Sequence, residues 1–167
     1  MVEDVGPDVT RFVIGDEVLG WVDTRSSHAQ LVVADAVHLA TRPAGVPWDA
    51  AGSLFVAGTT AYAAVRAVGL AAGDTVVVSG AAGGVGSLAV QLAVDAGAKV
   101  IGLASEAHHR WLLGHNVVPV AHGDGVAERI RDVSGRGIDA FIDTYGGGYV
   151  DMAIGMGVSP DRIDTII

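Results

Sequence analysis

The stretch "VVVSGAAGGVGSLAVQLA", residues 76–93, decides the reading of this chain. Three valines stop at a run of small residues over 79–86. Apolar residues then resume at helical spacing, with Val85, Leu88, Ala89 and Leu92 on one face. A strand that turns through glycine into a helix leaves the first helical N–H groups unpaired, and the helix dipole adds partial positive charge there. Such a turn is an anion site, provided no loop side chain holds the phosphate away. Residues 81–86, "AAGGVG", match the dinucleotide fingerprint with Ala81 in its first position. Gly83 then lets a pyrophosphate approach, and Gly86 lets the helix pack on the strand. The alternative is a tight turn that binds nothing.

Outward from this stretch the periods alternate. Strands are expected over 75–79, 99–104, 117–121 and 138–143, and helices over 85–96, 106–113, 125–133 and 149–156. That alternation predicts an α/β fold with parallel βαβ units, and the fully apolar strands suit a sheet covered on both faces. Upstream, 16–22 and 29–40 read as short β elements, and "RPAGVP" (42–47) punctuates the chain. Residues 48–68 suggest one or two helices interrupted near Gly58.

The 167 residues carry 19 acidic and 10 basic side chains, a formal net charge of −9, and a mean hydropathy of +0.46. One domain, or one and a piece, is the expectation. No apolar stretch of ~18 residues free of charges and turn formers occurs, so no membrane span is expected. The acidic start "MVEDVGPDVTRF" lacks the apolar core of a secretory leader, and a cytoplasmic location is expected. The acidic balance argues against nucleic acid as partner. Cysteine is absent, which removes disulfides, a catalytic thiol and cysteine-held zinc. "SGAAGGVG" also approaches the glycine pattern of short-chain dehydrogenases, but that chemistry needs Tyr-x-x-x-Lys. Lys99 is the single lysine, and Tyr62 has Arg66 at that spacing, which does not share its proton.

The second strand selects the dinucleotide. An acid at its end would bind the ribose 2′-OH of NAD. Here it ends Leu103-Ala104-Ser105, and Ser105, His109 and Arg110 are placed to contact a 2′-phosphate, so NADP is expected. Glu106, one residue late, keeps an NAD reading open. Ser105 also suits a helix N-cap.

The order of motifs resembles the zinc-independent medium-chain dehydrogenases/reductases, with the quinone oxidoreductases and their enoyl reductase relatives most similar. The resemblance rests on "VEDVGPDVTRFVIGDEVLGWV" (2–22), "AGSLFVAGTTAYAAV" (51–65), "GDTVVVSGAAGGVGSLAVQLAVDAGAKVIGLAS" (73–105) and "FIDTYGGGYVDMA" (141–153). It implies a partial GroES-like β segment over 1–46 and the N-terminal portion of a Rossmann domain over 47–167. The implied activity is hydride transfer from NADPH to a small molecule, either a quinone or an α,β-unsaturated carbonyl. Gly83, Gly84, Val85 and Gly86 match the family's pyrophosphate loop. Thr60 matches a threonine near the nicotinamide, and Tyr145 and Gly146 lie on a loop that passes close to the cofactor. Polar capping of element ends is the plain alternative for Thr60 and Tyr145. Against the family pattern the chain starts late and stops early at "GVSPDRIDTII", so about four strands in the order 3-2-1-4 are expected. A half-sheet implies a homo-oligomer or a partner chain. A fragment, a natural truncation and a rearranged fold all remain open, as do a non-catalytic binding module and an oxidative alcohol or sugar dehydrogenase.

Other chemistry is weaker. His108, His109, His115 and His122 lack metal-ligand spacing. No Gly-x-Ser-x-Gly elbow occurs. "SSH" (26–28) reads as a solvated loop. Asp143, at the end of a buried strand, suits either a ligand contact or a cap on the next turn. No residue is assigned a catalytic role, because in hydride transfer the cofactor supplies the chemistry.

Overall fold

The computed structural model describes residues 1–23 and 27–167, so Ser26 of the "SSH" loop lies outside the described residues. The chain divides into two compact units, Met1–Val56 and Ala57–Ile167.

In the first unit, β1 (Val18–Gly20) pairs antiparallel with β2 (Leu39–Thr41), Val18 standing opposite Thr41. Trp21 stacks on His38 with ring centroids 4.1 Å apart and on Phe55 at 4.2 Å. Arg42 pairs with Glu17 and lies over the Trp48 ring, 4.6 Å from its centroid. The strand expected over 29–40 is mostly irregular. Asp35 caps a 3₁₀ turn at Ala36–His38 by accepting the Val37 N–H at 3.2 Å, and only the following three residues pair. Leu31 and Val33 are exposed, so no core fixes a longer strand there.

A single helix, α1 (Trp48–Ala67), runs through Gly58 without a break. A mid-helix glycine costs only about 1 kcal/mol against alanine. Burial of Ala61 and Ala64, with Val68 just beyond, outweighs that cost.

The second unit is built on a parallel sheet of five strands: β3 (Thr75–Val78), β4 (Lys99–Ala104), β5 (Val117–Ala121), β6 (Ala140–Asp143) and β7 (Ile163–Thr165), in the order β5-β4-β3-β6-β7. Helices α2 (Gly84–Asp95), α3 (His109–Gly114), α4 (Val126–Ser134) and α5 (Tyr149–Gly155) connect the strands, with a 3₁₀ turn at Glu106–His108 before α3. The fully apolar strands are covered on both faces. Val76 and Val78 pack into one cluster with Ala61, Ala89, Val90 and Leu112, while Val77 faces the other with Ile101, Ile130, Phe141 and Ala153. Fully burying one such valine, leucine or isoleucine contributes roughly 1.5–3 kcal/mol.

The fifth strand corrects the expected four. "GVSPDRIDTII" turns through a 3₁₀ segment at Pro160–Arg162 and joins the sheet, Phe141 aligning with Ile163 and Asp143 with Thr165. The alternating apolar and polar residues of this short run hid it. Its register is set by β6, and Arg162 anchors its start by donating to the carbonyls of Gly69 (2.8 Å) and Asp139 (3.2 Å) and to Asp74 (2.5 Å).

Candidate functional site

The sheet order reverses between β3 and β6, since β4 lies on one side of β3 and β6 on the other. Ligands of open parallel sheets bind beyond the carboxyl ends of the strands at such a reversal. The glycine turn after β3 stands there.

Its shape is enforced by close backbone approach. Gly80 has φ +57°, and a Cβ on it would lie 2.7 Å from Thr144 Oγ1. A Cβ on Gly86 would lie 2.1 Å from the Gly80 carbonyl oxygen. The Gly83 N–H donates to that carbonyl at 2.8 Å, and the Ala81 N–H donates to Leu103 O at 3.0 Å. Gly83 is the N-cap of α2, and no side chain caps the helix. The leading N–H groups of α2, at Gly84, Val85 and Gly86, have no intrahelical partner. Gly84 is exposed, and a Cβ on it would meet nothing within 4 Å.

A buried polar lattice ties this turn to the one after β6. The Ser79 hydroxyl donates to Asp143 Oδ1 at 2.5 Å and accepts the Thr144 N–H at 2.9 Å. Thr144 Oγ1 donates to the Ser79 carbonyl at 2.7 Å. Asp143 Oδ1 also accepts the N–H groups of Tyr145 (3.1 Å) and Gly146 (2.9 Å). Ser79 and Asp143 are both fully buried. Of the two roles open to Asp143 from sequence, the structure gives it the cap on the next turn.

The other expected positions lie around this turn. Ser105 follows β4 as the N-cap residue of the 3₁₀ turn, but its side chain makes no capping bond, and it is exposed together with Glu106. His109 is half-buried, its Nε2 lying 3.3 Å from the Ala104 carbonyl, which aims the ring back at the strand end. Arg110 is exposed and forms no ion pair with the described residues. Tyr145 is 69% exposed and meets the Tyr149 ring edge-on at 6.2 Å. Burial of Tyr149, with Tyr145 and Asp143 nearby, raises its phenol above the ordinary tyrosine value. Thr60 is half-buried on α1 and lines an open groove of about 500 Å³ with Thr59, Ala63, Asp164, Thr165 and Ile166. The structure therefore brings together the turns after β3 and β6, with Ser105 and His109 at the adjoining strand end. Thr60, in its groove on α1, and Arg110, on the exposed side of α3, are not tied into that lattice of hydrogen bonds. Among the described residues, no group of three or more His, Asp or Glu could hold a metal ion.

No family model matches the chain. Among curated proteins it is 37% identical over 157 residues to the erythronolide synthase EryA2 of Saccharopolyspora erythraea, covering 90% of this chain and 4% of that protein. Among solved structures, an alcohol dehydrogenase superfamily protein from Novosphingobium aromaticivorans superposes with a TM-score of 0.84 at 26% identity. That match covers 96% of this chain and 56% of the other. The mycobacterial protein Rv1454c, solved complexed with NADPH, gives a TM-score of 0.78 at 30% identity, over 93% of this chain and 50% of that one. The solved structures it resembles are members of the medium-chain dehydrogenase/reductase superfamily. Solved quinone oxidoreductases and enoyl reductases of the superfamily share its fold.

In this chain the glycine turn was legible in the sequence, but the lattice beneath it was not. The available signal was a polar residue ending each of two apolar strands, Ser79 after "TVVV" and Asp143 in "FID", 64 residues apart. Only the strand pairing of β3 with β6 makes them neighbours.

Proposed function

We propose that this chain holds NADPH for an oxidoreductase that delivers hydride to an α,β-unsaturated carbonyl. The observation that carries the nucleotide half is the contact of Gly86 with Gly80, where a Cβ would stand 2.1 Å from a carbonyl oxygen at the sheet reversal. A turn sealed this tightly, in front of an uncapped helix, has the shape a pyrophosphate requires. The erythronolide synthase relative and the enoyl reductase neighbour support an unsaturated carbonyl as acceptor. The quinone oxidoreductase neighbours support a quinone as the second reading.

The residues present fit the cofactor. The N–H groups of Gly84, Val85 and Gly86 would take the pyrophosphate. Ser105, His109 and Arg110 would take the 2′-phosphate, with Arg110 giving the charge. Tyr145, on the clamped turn, would screen the cofactor from water, and Thr60 would face its nicotinamide end. When bound, NADPH supplies the hydride. The chain holds no cysteine, so the proposed transfer uses no cysteine-held zinc from this chain.

In this reading residues 1–46 form a GroES-like β segment and 47–167 the start of the Rossmann domain. The chain spans about half the length of the solved proteins it matches. The alternative is a chain that binds nucleotide without turnover.

Titration with NADPH and NADH, followed by turnover on a panel of unsaturated carbonyls and quinones, tests the reading. Preference for NADPH with enone reduction supports it. Binding without turnover leaves the non-catalytic alternative, and no binding of either nucleotide overturns it.

A further inference from the structure

Ser79 is placed to do more than end a strand. All its polar groups are used, and every partner lies on or next to the turn after β6. Its N–H donates to Ile142 O at 3.0 Å, its hydroxyl bridges Asp143 and the Thr144 N–H, and its carbonyl accepts from Thr144 Oγ1. Asp143 passes the connection on, through Oδ1 to the Tyr145 and Gly146 amides and through Oδ2 toward Thr165 Oγ1 at 3.5 Å. Neither the shape of the glycine turn nor the exposure of Tyr145 requires a buried serine–aspartate pair. A buried, fully satisfied polar network instead rigidifies and specifies one arrangement.

We propose that Ser79 is a positioning residue: through Asp143 and Thr144 it clamps the glycine turn and the Thr144–Gly146 turn into one rigid unit, so that the pyrophosphate donors and Tyr145 are held at a set separation. This rests on the nucleotide reading above. The adenosine end, at Ser105 and His109, hangs from β4 and lies outside the clamp. The clamp therefore governs NADPH more than it governs the adenosine half alone.

The test compares wild type with Ser79→Ala and Ser79→Thr in the 167-residue chain, using NADPH and adenosine 2′,5′-bisphosphate as separate probes. Amide hydrogen exchange is also read without ligand. The expected result is NADPH affinity lowered about ten-fold in Ser79→Ala, the scale of one hydrogen bond to a carboxylate. The bisphosphate should bind as in wild type, and Ser79→Thr should restore most of the loss. Exchange should quicken at Thr144, Tyr145 and Gly146 but not at Phe141 or Ile142. Unchanged exchange at the three turn amides, or parallel weakening of both probes, overturns the clamp. A wild type that binds neither probe overturns the nucleotide reading instead, and the exchange result still decides whether the two turns are joined. If Ser79→Ala does not fold, Thr144→Val removes one bond of the same clamp and should quicken the same amides to a smaller extent.

Discussion

Gly86, in the first turn of α2, has its Cα so close to the Gly80 carbonyl that a Cβ would lie 2.1 Å from the oxygen and 2.8 Å from the carbonyl carbon. Real Cβ atoms do not approach that near, and the obstacle is backbone, not a side chain that can swing aside.

The first prediction follows from that contact. Gly86→Ala must push α2 away from the turn or open the turn itself. NADPH binding should fall at least ten-fold, about 1.4 kcal/mol. Calorimetric titration of Gly86→Ala against wild type checks this. Wild-type affinity in a folded Gly86→Ala would show that the turn does not hold the pyrophosphate.

Arg110 is the exposed cation expected to read the 2′-phosphate. Arg110→Ala should weaken NADPH roughly ten-fold and leave NADH unchanged, the size of a charge-assisted hydrogen bond lost from a solvated site. Competitive fluorescence titration with both nucleotides reads the ratio. Loss of both in equal measure would place Arg110 outside phosphate selection.

At the opposite end of the strands, the Ala71 N–H (2.8 Å) and the Arg162 guanidinium (2.5 Å) hold the Asp74 carboxyl below its ordinary value of 3.8. A carboxyl whose value is lower folded than unfolded stabilises the fold above the unfolded value. That contribution is lost as pH falls from 3.8 through the folded value. Asp74→Asn should therefore be less stable than wild type at neutral pH, and the gap should close in acid. Urea unfolding of both proteins from about pH 6 down to about pH 3 measures it. A gap that stays constant would remove Asp74 from the acid sensitivity.

Phe141 is completely buried in β6 among Val77, Ile101 and Ile130. Phe141→Ala leaves a cavity that the sheet and α4 cannot close, and should cost about 3–5 kcal/mol. Thermal and urea unfolding check the value. A cost below about 1 kcal/mol would mean that the site collapses freely, contrary to a close-packed interior.

The legible part of the fold was local. The valine run, the glycine turn and the apolar stripe of α2 lie within 18 consecutive residues, and short-range sterics and periodicity decide such elements. The same held for β4, β5, α4 and α5, whose bounds fall within two residues of expectation. It failed where partners decide. Residues 29–40 have strand-like composition but no neighbour to pair with over most of their length, while "IDT" has weak composition and becomes β7 because β6 offers it an edge. Gly58 lies inside a helix because burial around it outweighs its own preference.

The candidate site divides in the same way. By itself the sequence determined the glycine turn, because the absence of side chains is written residue by residue. It also set the βαβ alternation and the lack of an acid at the end of β4. Only the tertiary structure decided that Ser79 and Asp143 share a hydrogen bond and that a fifth strand pairs with β6. Those contacts join residues 64 and 22 positions apart, and no local pattern encodes which of two distant polar groups a buried hydroxyl will find. The strand pairing of β3 with β6 makes that choice, since a buried donor left unpaired would cost about 1–3 kcal/mol.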